Sequence, residues 1–355
     1  MGAEIKSGHK SLWRSNAAVL KNSLRVEAAH CDIRLPRAQA VDLFRRHASL
    51  VEVETTSYCN RTCSFCPNSF VDRRSKKHAM PDAVWERILD DLRGLDYSSS
   101  FFWSRYSEPT SEDRLVERIR EVRRAAPKAR IGINSNGDYL NADYLHRLID
   151  AGLNRLWIDI YMPDDEPYER SIVEAHHARF LKRIEKTAAV IGMNPEFVSK
   201  AEIPGVDMWI TVRNLASLKQ VDLSDRGGLI QIARRTSRVS PCYAPFKHLV
   251  IDWDGSVVIC CQVRSDYAPQ KGIVVAKIGD DGVGLVEAYV ALGRWRDSLK
   301  SFGPKPEPCG SCNVFEYHPT RLAKLIGQML ADERLPGAPL IKTVASRMIG
   351  RTIMQ

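Results

Sequence analysis

The chain has no apolar run long enough to span a membrane, and its first 30 residues alternate charges with short apolar stretches instead of forming a secretory signal. These absences argue against a transmembrane helix and predict a cytoplasmic location, where thiols stay reduced. No internal repeat or low-complexity segment interrupts the 355 residues, and 44% hydrophobic with 27% charged residues excludes a collagen-like or wholly disordered chain. A concentrated basic surface is also missing. The net charge is +9, from 52 Lys+Arg and 43 Asp+Glu, but the cations are scattered. The densest stretch, Glu117 to Arg124, reads as a solvated helix face, so neither nucleic acid nor a membrane is the expected partner. Cysteine is what the chain has in quantity: nine, seven of them in close groups. In a reducing compartment that pattern points to metal or cluster binding and not to disulfides.

The apolar periodicity predicts an α/β fold. A helix is expected over about Arg37 to Ala48, then a strand at Val51–Thr56, whose alternating β-branched residues have a period of two. Further strands are expected at Phe101–Trp103, Ile131–Asn134, Leu156–Ile160 and Met208–Val212, with a sixth at Leu229–Ile232. The intervening helices are placed at 81–94, Arg114–Arg124, Asp143–Ala151 and Ala175–Ile191. Such alternation implies parallel strands with helical crossovers, either barrel-like or an open sheet, and functional groups gather at the C-terminal ends of such strands. After about residue 236 the pattern changes to a β-hairpin over Leu249–Ile259 with Asp254-Gly255 at its turn. A helix over Val286–Ser298, a Pro-rich stretch and a basic helical end follow.

Directly after the first strand, Cys59, Cys63 and Cys66 have the spacing C-x3-C-x2-C. Three thiolates on one loop bind three irons of a [4Fe–4S] cluster and leave the fourth open. A structural zinc is the alternative, but it wants four closed ligands, and no fourth lies nearby in sequence. This loop, with Phe65 before the last cysteine, resembles the radical S-adenosylmethionine (SAM) superfamily. The resemblance implies a partial (β/α)6 barrel over roughly 50–235 and SAM bound at the open iron. One electron would then split SAM into methionine and a 5′-deoxyadenosyl radical that abstracts hydrogen from the substrate. It also implies that Glu108, in Tyr106-Ser107-Glu108-Pro109, contacts the SAM amino group, although the family's usual glycines are replaced by Tyr106 and Ser107. Ser135 and Asn136 of Ser135-Asn136-Gly137 resemble the family's Thr-Asn-Gly near the ribose, and Asp159 sits where many members have a serine near SAM. Arg213 is a candidate for the SAM carboxylate, or for a surface ion pair.

Cys242, Cys260, Cys309 and Cys312 form a second set: one cysteine before the hairpin, one after it, then C-x2-C. On spacing alone a zinc ribbon fits. The arrangement resembles the SPASM/Twitch extension of radical SAM enzymes, in its shorter form with one auxiliary [4Fe–4S] cluster. Cys261 is an alternative ligand, a hydrogen donor to a substrate radical, or a small buried hydrophobe. Cys31 stands alone and reads as structural. Arg226, in Ser224-Asp225-Arg226-Gly227-Gly228 between the two parts, is a candidate substrate contact or part of a turn.

The layout implies four parts: a leader over 1–49, the barrel over 50–235, the auxiliary-cluster domain over 236–318 and a helical tail over 319–355. Cysteine layout is similar to that of aminocyclitol dehydrogenases, in which an auxiliary cluster takes an electron from the substrate radical. The expected enzyme is therefore an oxidoreductase acting on a small polar substrate of sugar or aminocyclitol type and fed by a flavodoxin- or ferredoxin-type donor. Epimerisation through Cys261, maturation of a ribosomal peptide, and a non-enzymatic zinc protein are the alternatives. In the tail, Arg321, Lys324, Arg347 and Arg351 are interspersed with apolar residues, and packing against the barrel is expected.

Overall fold

Within the first strand, β1 (Leu50–Val53), Val51 and Val53 are fully buried in a core shared with Phe44 and Ile88. Glu52 lies between them on the other face, as the period of two requires, and Glu54 continues that face beyond the strand. The helix Asp82–Gly94 covers the apolar face with Val84, Trp85, Ile88, Leu89 and Leu92, a spacing that makes one apolar stripe. The same division recurs along the chain, which a computed structural model describes over residues 15–331 apart from 194, 221, 222, 235, 315, 318 and 319.

The further strands are β2 (Ser100–Trp103), β3 (Arg130–Ser135), β4 (Arg155–Tyr161), β5 (Ala188–Gly192), β6 (Phe197–Ile203), β7 (Val206–Arg213), β8 (His248–Ile251), β9 (Ser256–Val258) and β10 (Val274–Lys277). They form a single sheet in the order β10-β9-β8-β1-β2-β3-β4-β7-β6-β5. The six central strands, β8 to β7 in that order, run parallel, and both flanks are antiparallel. Glu52 of β1, Phe102 of β2 and Gly132 of β3 stand side by side in register. A β-carbon at Gly132 would lie 2.3 Å from Phe102 Cζ, so the ring occupies space that only glycine leaves.

Three expectations are corrected. Leu229–Ile232 is turn and loop; the sixth parallel strand is β8, the first arm of the predicted hairpin, which pairs with β1 on the opposite side of the sheet. The sheet therefore crosses the boundary drawn at residue 235. The predicted helix to Ile191 is Arg170–Ile184, ended by Glu185 in the left-handed region (φ 52°); Val190 and Ile191 belong instead to the edge strand β5. The helix over Val286–Ser298 is two, Leu285–Ala291 and Gly293–Leu299.

In the tail, the helix Arg321–Ala331 packs through Gly327 onto Val19, with Ala331 in a small cluster with Val26, Tyr243 and Phe246. Arg347 and Arg351 lie outside the described residues. Among those described, no helix is long and apolar enough to cross a membrane.

Candidate active site

The loops that leave the C-terminal ends of the parallel strands enclose a cavity of about 270 Å³. Cys59, Cys63 and Cys66 line it together with Glu108, Ser135, Asn136, Asp159, Arg226 and Cys261, so residues spread over 200 positions of sequence meet in one place. Parallel strands whose chain reverses through helices deliver all their C-terminal loops to the same end, which explains the convergence.

The first cysteine loop is tied down from the side. Arg61 donates twice to Asp138, at 2.6 and 2.7 Å, and once to the Tyr161 carbonyl at 3.1 Å. Asn60 donates to Asp138 at 2.7 Å and accepts from Asn136 at 2.8 Å. The loop is thereby fastened to the Ser135-Asn136-Gly137 turn after β3, where Gly137 has φ 74°. Phe65 lies 5.2 Å from the Tyr161 ring. Burial pushes the Cys59 thiol up to about 11, with Glu108 and Cys66 adding to the rise. Burial likewise pushes Cys63 to about 12, and Cys66 and Cys59 add to it. Such thiols stay protonated unless a metal displaces the proton, and three cysteines on one half-buried loop fit an iron–sulfur cluster.

Glu108 is 2% exposed. One oxygen accepts from Thr110 N at 3.0 Å and Ser135 Oγ at 2.7 Å, the other from Asn136 N at 2.8 Å. It therefore caps the short turn Pro109–Ser111 and faces the cavity at once. Burial raises its pKa, opposed by those hydrogen bonds. Asp159 lines the cavity, and Arg213 stands behind it: its guanidinium lies 3.5 Å from Asp159 and 3.0 Å from Glu196, and it is not among the cavity-lining residues. Arg226 faces the cavity from a residue with φ 51°, and among the described residues no carboxylate pairs with it. Its neighbour Asp225 is fully buried and accepts from Gly227 N, Gly228 N and Ser311 Oγ, fastening this turn to the loop of Cys309 and Cys312.

The second set also comes together. Burial pushes the Cys260 thiol far up, with Cys261, Cys309 and Cys242 contributing. Burial takes Cys309 to about 12, with Cys242 and Cys312 contributing, and Cys312 to about 11. Arg238, 1% exposed, donates to the carbonyls of Ser240, Pro241, Cys312 and Val314 and approaches Cys312 Sγ at 3.9 Å. Cys261 turns the other way. It lines the cavity, and after burial the groups that bear on its thiol include Glu52, Arg226 and Arg105. The two adjacent cysteines thus differ in surroundings, Cys260 lying near Cys242 and Cys309 and Cys261 lining the cavity. Among the described residues no three His, Cys, Asp or Glu side chains converge as the ligands of one ion do; a cubane instead takes each thiolate on a different iron.

Several site residues escaped the sequence reading. Glu52 is 6% exposed; one carboxylate oxygen accepts from Ser104 Oγ, and the other, Oε2, has no partner. Asn134 Oδ1 on β3 is also unpartnered, and both residues line the cavity. The signal was available: a strand buried on both faces of a parallel sheet is normally apolar throughout, yet this one carries two buried glutamates in Val51-Glu52-Val53-Glu54.

Comparison with known proteins agrees with this geometry. Residues 53–205 match the radical SAM superfamily, and residues 242–313 match an iron–sulfur cluster-binding domain. The chain belongs to the radical SAM superfamily and carries a SPASM-type C-terminal domain. It is 34% identical over 267 residues to the S-adenosyl-L-methionine-dependent 2-deoxy-scyllo-inosamine dehydrogenase of Niallia circulans, covering 75% of this chain and 92% of that one. A second relative is the tungsten-containing aldehyde ferredoxin oxidoreductase cofactor-modifying protein of Pyrococcus furiosus. It is 23% identical over 169 residues, covering 48% of this chain and 46% of that protein. The crystal structure of BtrN in complex with AdoMet and 2-DOIA shares the fold, with a TM-score of 0.53, 21% identity and coverage of 75% of this chain and 93% of that one. This protein is a radical SAM oxidoreductase whose cofactors are SAM, a SAM-binding [4Fe–4S] cluster and an auxiliary cluster.

Proposed function

We propose that the protein oxidises a secondary alcohol of an aminocyclitol or amino sugar to a ketone, with the auxiliary cluster taking the second electron. The observation that carries this is the pair of unpartnered acceptors, Glu52 Oε2 and Asn134 Oδ1, in the same cavity as the first cysteine loop. A buried acceptor without a partner costs about 1–3 kcal/mol, which a ligand bearing O–H and N–H donors recovers on binding. A ligand without donors leaves them unsatisfied. The test is to incubate the reconstituted enzyme with aminocyclitols, SAM and a reductant. One ketone per 5′-deoxyadenosine is expected; SAM cleavage with no oxidised cyclitol would overturn the reading.

In this reading Cys59, Cys63 and Cys66 hold the SAM-binding cluster, and Cys242, Cys260, Cys309 and Cys312 the auxiliary one. The first would supply the electron that cleaves SAM, with a flavodoxin- or ferredoxin-type protein as its donor. Glu108, already fixed by four hydrogen bonds, presents its carboxylate to the SAM ammonium, with Ser135 and Asn136 beside the ribose and Asp159 held in place by Arg213. Glu108→Gln removes a charge-assisted hydrogen bond of about 1.5–3 kcal/mol, so the Kd for SAM is expected to rise roughly 10- to 100-fold. Iron content should be unchanged, and equilibrium dialysis with labelled SAM measures the shift.

Glu52 and Arg226 then face the substrate, the one accepting its donors and the other donating to a hydroxyl oxygen. Burial raises the Glu52 pKa, opposed by Ser104 and Arg105. A raised carboxyl pKa means that the anionic acceptor is lost on acidification earlier than for an ordinary carboxylate. The kcat/KM for substrate is therefore expected to fall on an acid limb lying above the usual carboxyl range. Glu52→Gln should lower kcat/KM about 100-fold and remove that limb, since one unpaired buried donor or acceptor costs about 1–3 kcal/mol. The pH profiles of the two enzymes check this. Because Cys261 also lines the cavity, hydrogen return by its thiol is the second reading. Epimerisation would place solvent deuterium on one substrate carbon, whereas dehydrogenation would not.

A further inference from the structure

The loop after β2 carries more hydrogen bonds than its role beside SAM requires. Arg105 has φ 89°, a left-handed backbone that a non-glycine residue adopts only when its surroundings hold it. Its side chain is fully buried, ion-pairs with Asp252, lies 3.8 Å from Glu54 and donates to the Val263 carbonyl. Tyr106, 2% exposed, donates from its hydroxyl to the Gln262 carbonyl at 2.9 Å. Its carbonyl accepts from Asn68 at 2.8 Å, two residues past Cys66. Its N–H and that of Ser107 both donate to Glu54 Oε1, at 2.8 and 2.6 Å. On the far side, Asp252 accepts from Ser265 N at 2.9 Å, and Arg264 lies 4.8 Å over the Tyr106 ring while donating to Asn68 at 3.3 Å.

Three loops therefore meet at Tyr106: the first cysteine loop, the Glu108 loop, and the segment 260–266 that begins with Cys260 and Cys261. We propose that Tyr106, with Arg105, is a positioning residue that fixes the auxiliary-cluster loop against the substrate cavity and so couples SAM cleavage to ketone formation. The inference rests on the dehydrogenase reading above. Hydrogen abstraction leaves a carbon radical bearing a hydroxyl, and its conversion to the ketone releases one proton and one electron. An auxiliary cluster held by Cys242, Cys260, Cys309 and Cys312 would accept the electron, and the proton would pass to the cavity's acceptors. If segment 260–266 moves away, the electron has no near acceptor, and 5′-deoxyadenosine accumulates without ketone. Displacements of the order of 1 Å are enough to cost roughly 100-fold in a positioned reaction.

The test compares the wild-type holoenzyme with Tyr106→Phe, which removes only the hydroxyl, and with Arg105→Lys, which keeps a cation but loses the fork shared between Asp252 and Val263. The expected result is a ratio of 5′-deoxyadenosine to ketone that rises from about one to ~10 or more in each variant, at unchanged iron content, as misplacement of a reacting group implies. Hydrogen–deuterium exchange should rise locally over 256–266 and stay as in the wild type over 50–58. A ratio that stays near one in both variants overturns the proposal. So does a parallel loss of both products with iron loss and chain-wide exchange, because that is a folding role only. Should the wild type cleave SAM but oxidise no aminocyclitol, the dehydrogenase reading fails. The exchange pattern then still decides whether Tyr106 holds segment 260–266.

Discussion

Alanine at Cys59, Cys63 and Cys66 together is expected to abolish SAM cleavage and to lower the iron of the reconstituted protein from about eight per chain to about four. The two cysteine sets share the Tyr106 junction but each has fastenings of its own, so one should be removable without the other. The first lies on a loop fastened by Arg61 and Asn60 to Asp138 and Asn136. The second is organised by Arg238, which donates to Pro241, and by Asp225, which accepts from Ser311. The remaining irons should keep an EPR signal from a single reduced [4Fe–4S] centre. Zinc in place of iron in the wild type, under conditions that load other iron–sulfur enzymes, would refute the assignment of both sets.

How far the sequence could be read follows from what each residue has to satisfy. The strands were legible wherever alternation served a core, as at Val51 and Val53. Leu229–Ile232 has the composition of a strand but lies along a surface groove, with Ile232 50% exposed, and apolar composition alone does not say that a segment finds a partner strand. Val190 and Ile191 close the stretch Ala175–Ile191 that the sequence presents as a helix. They are 55% and 59% exposed on an edge strand, so no burial pattern marks them. The cysteine motif was legible because ligand spacing is a local constraint. Arg105, Tyr106 and Glu54 act through contacts across 50 to 160 positions, and no local pattern records these. Glu52 is intermediate: its anomaly in a parallel strand is visible, but the face it occupies is known only once β2 and β8 are set beside β1.

Cys260→Ala and Cys261→Ala are expected to part company, although the residues are neighbours. In the bend that follows β9, Cys260 meets Cys242 and Cys309 while Cys261 lines the cavity. Cys260→Ala should lower the iron content by up to about four and reduce ketone formation at least ~100-fold, while SAM cleavage continues, because the three thiolates left come from two distant segments and not from one compact loop. Cys261→Ala should keep about eight irons and change only the KM for substrate. Metal analysis with product quantification separates the two. Iron loss in the Cys261 variant alone would reverse the assignment.

The pairing of β8 with β1 has a consequence for how such a protein can be divided. Leu50 to Val53 use one flank for β2 and the other for His248 to Ile251. A chain cut before residue 242 would present the unpaired flank of β1 to solvent, in the middle of what is otherwise a continuous ladder, and bare strand flanks recruit other chains. The C-terminal region is thus a structural wall of the enzyme as well as a redox attachment. Its hairpin cannot be exchanged between relatives as a freestanding module unless the incoming segment brings a strand of matching register. The electron exit and the integrity of the sheet are inherited together.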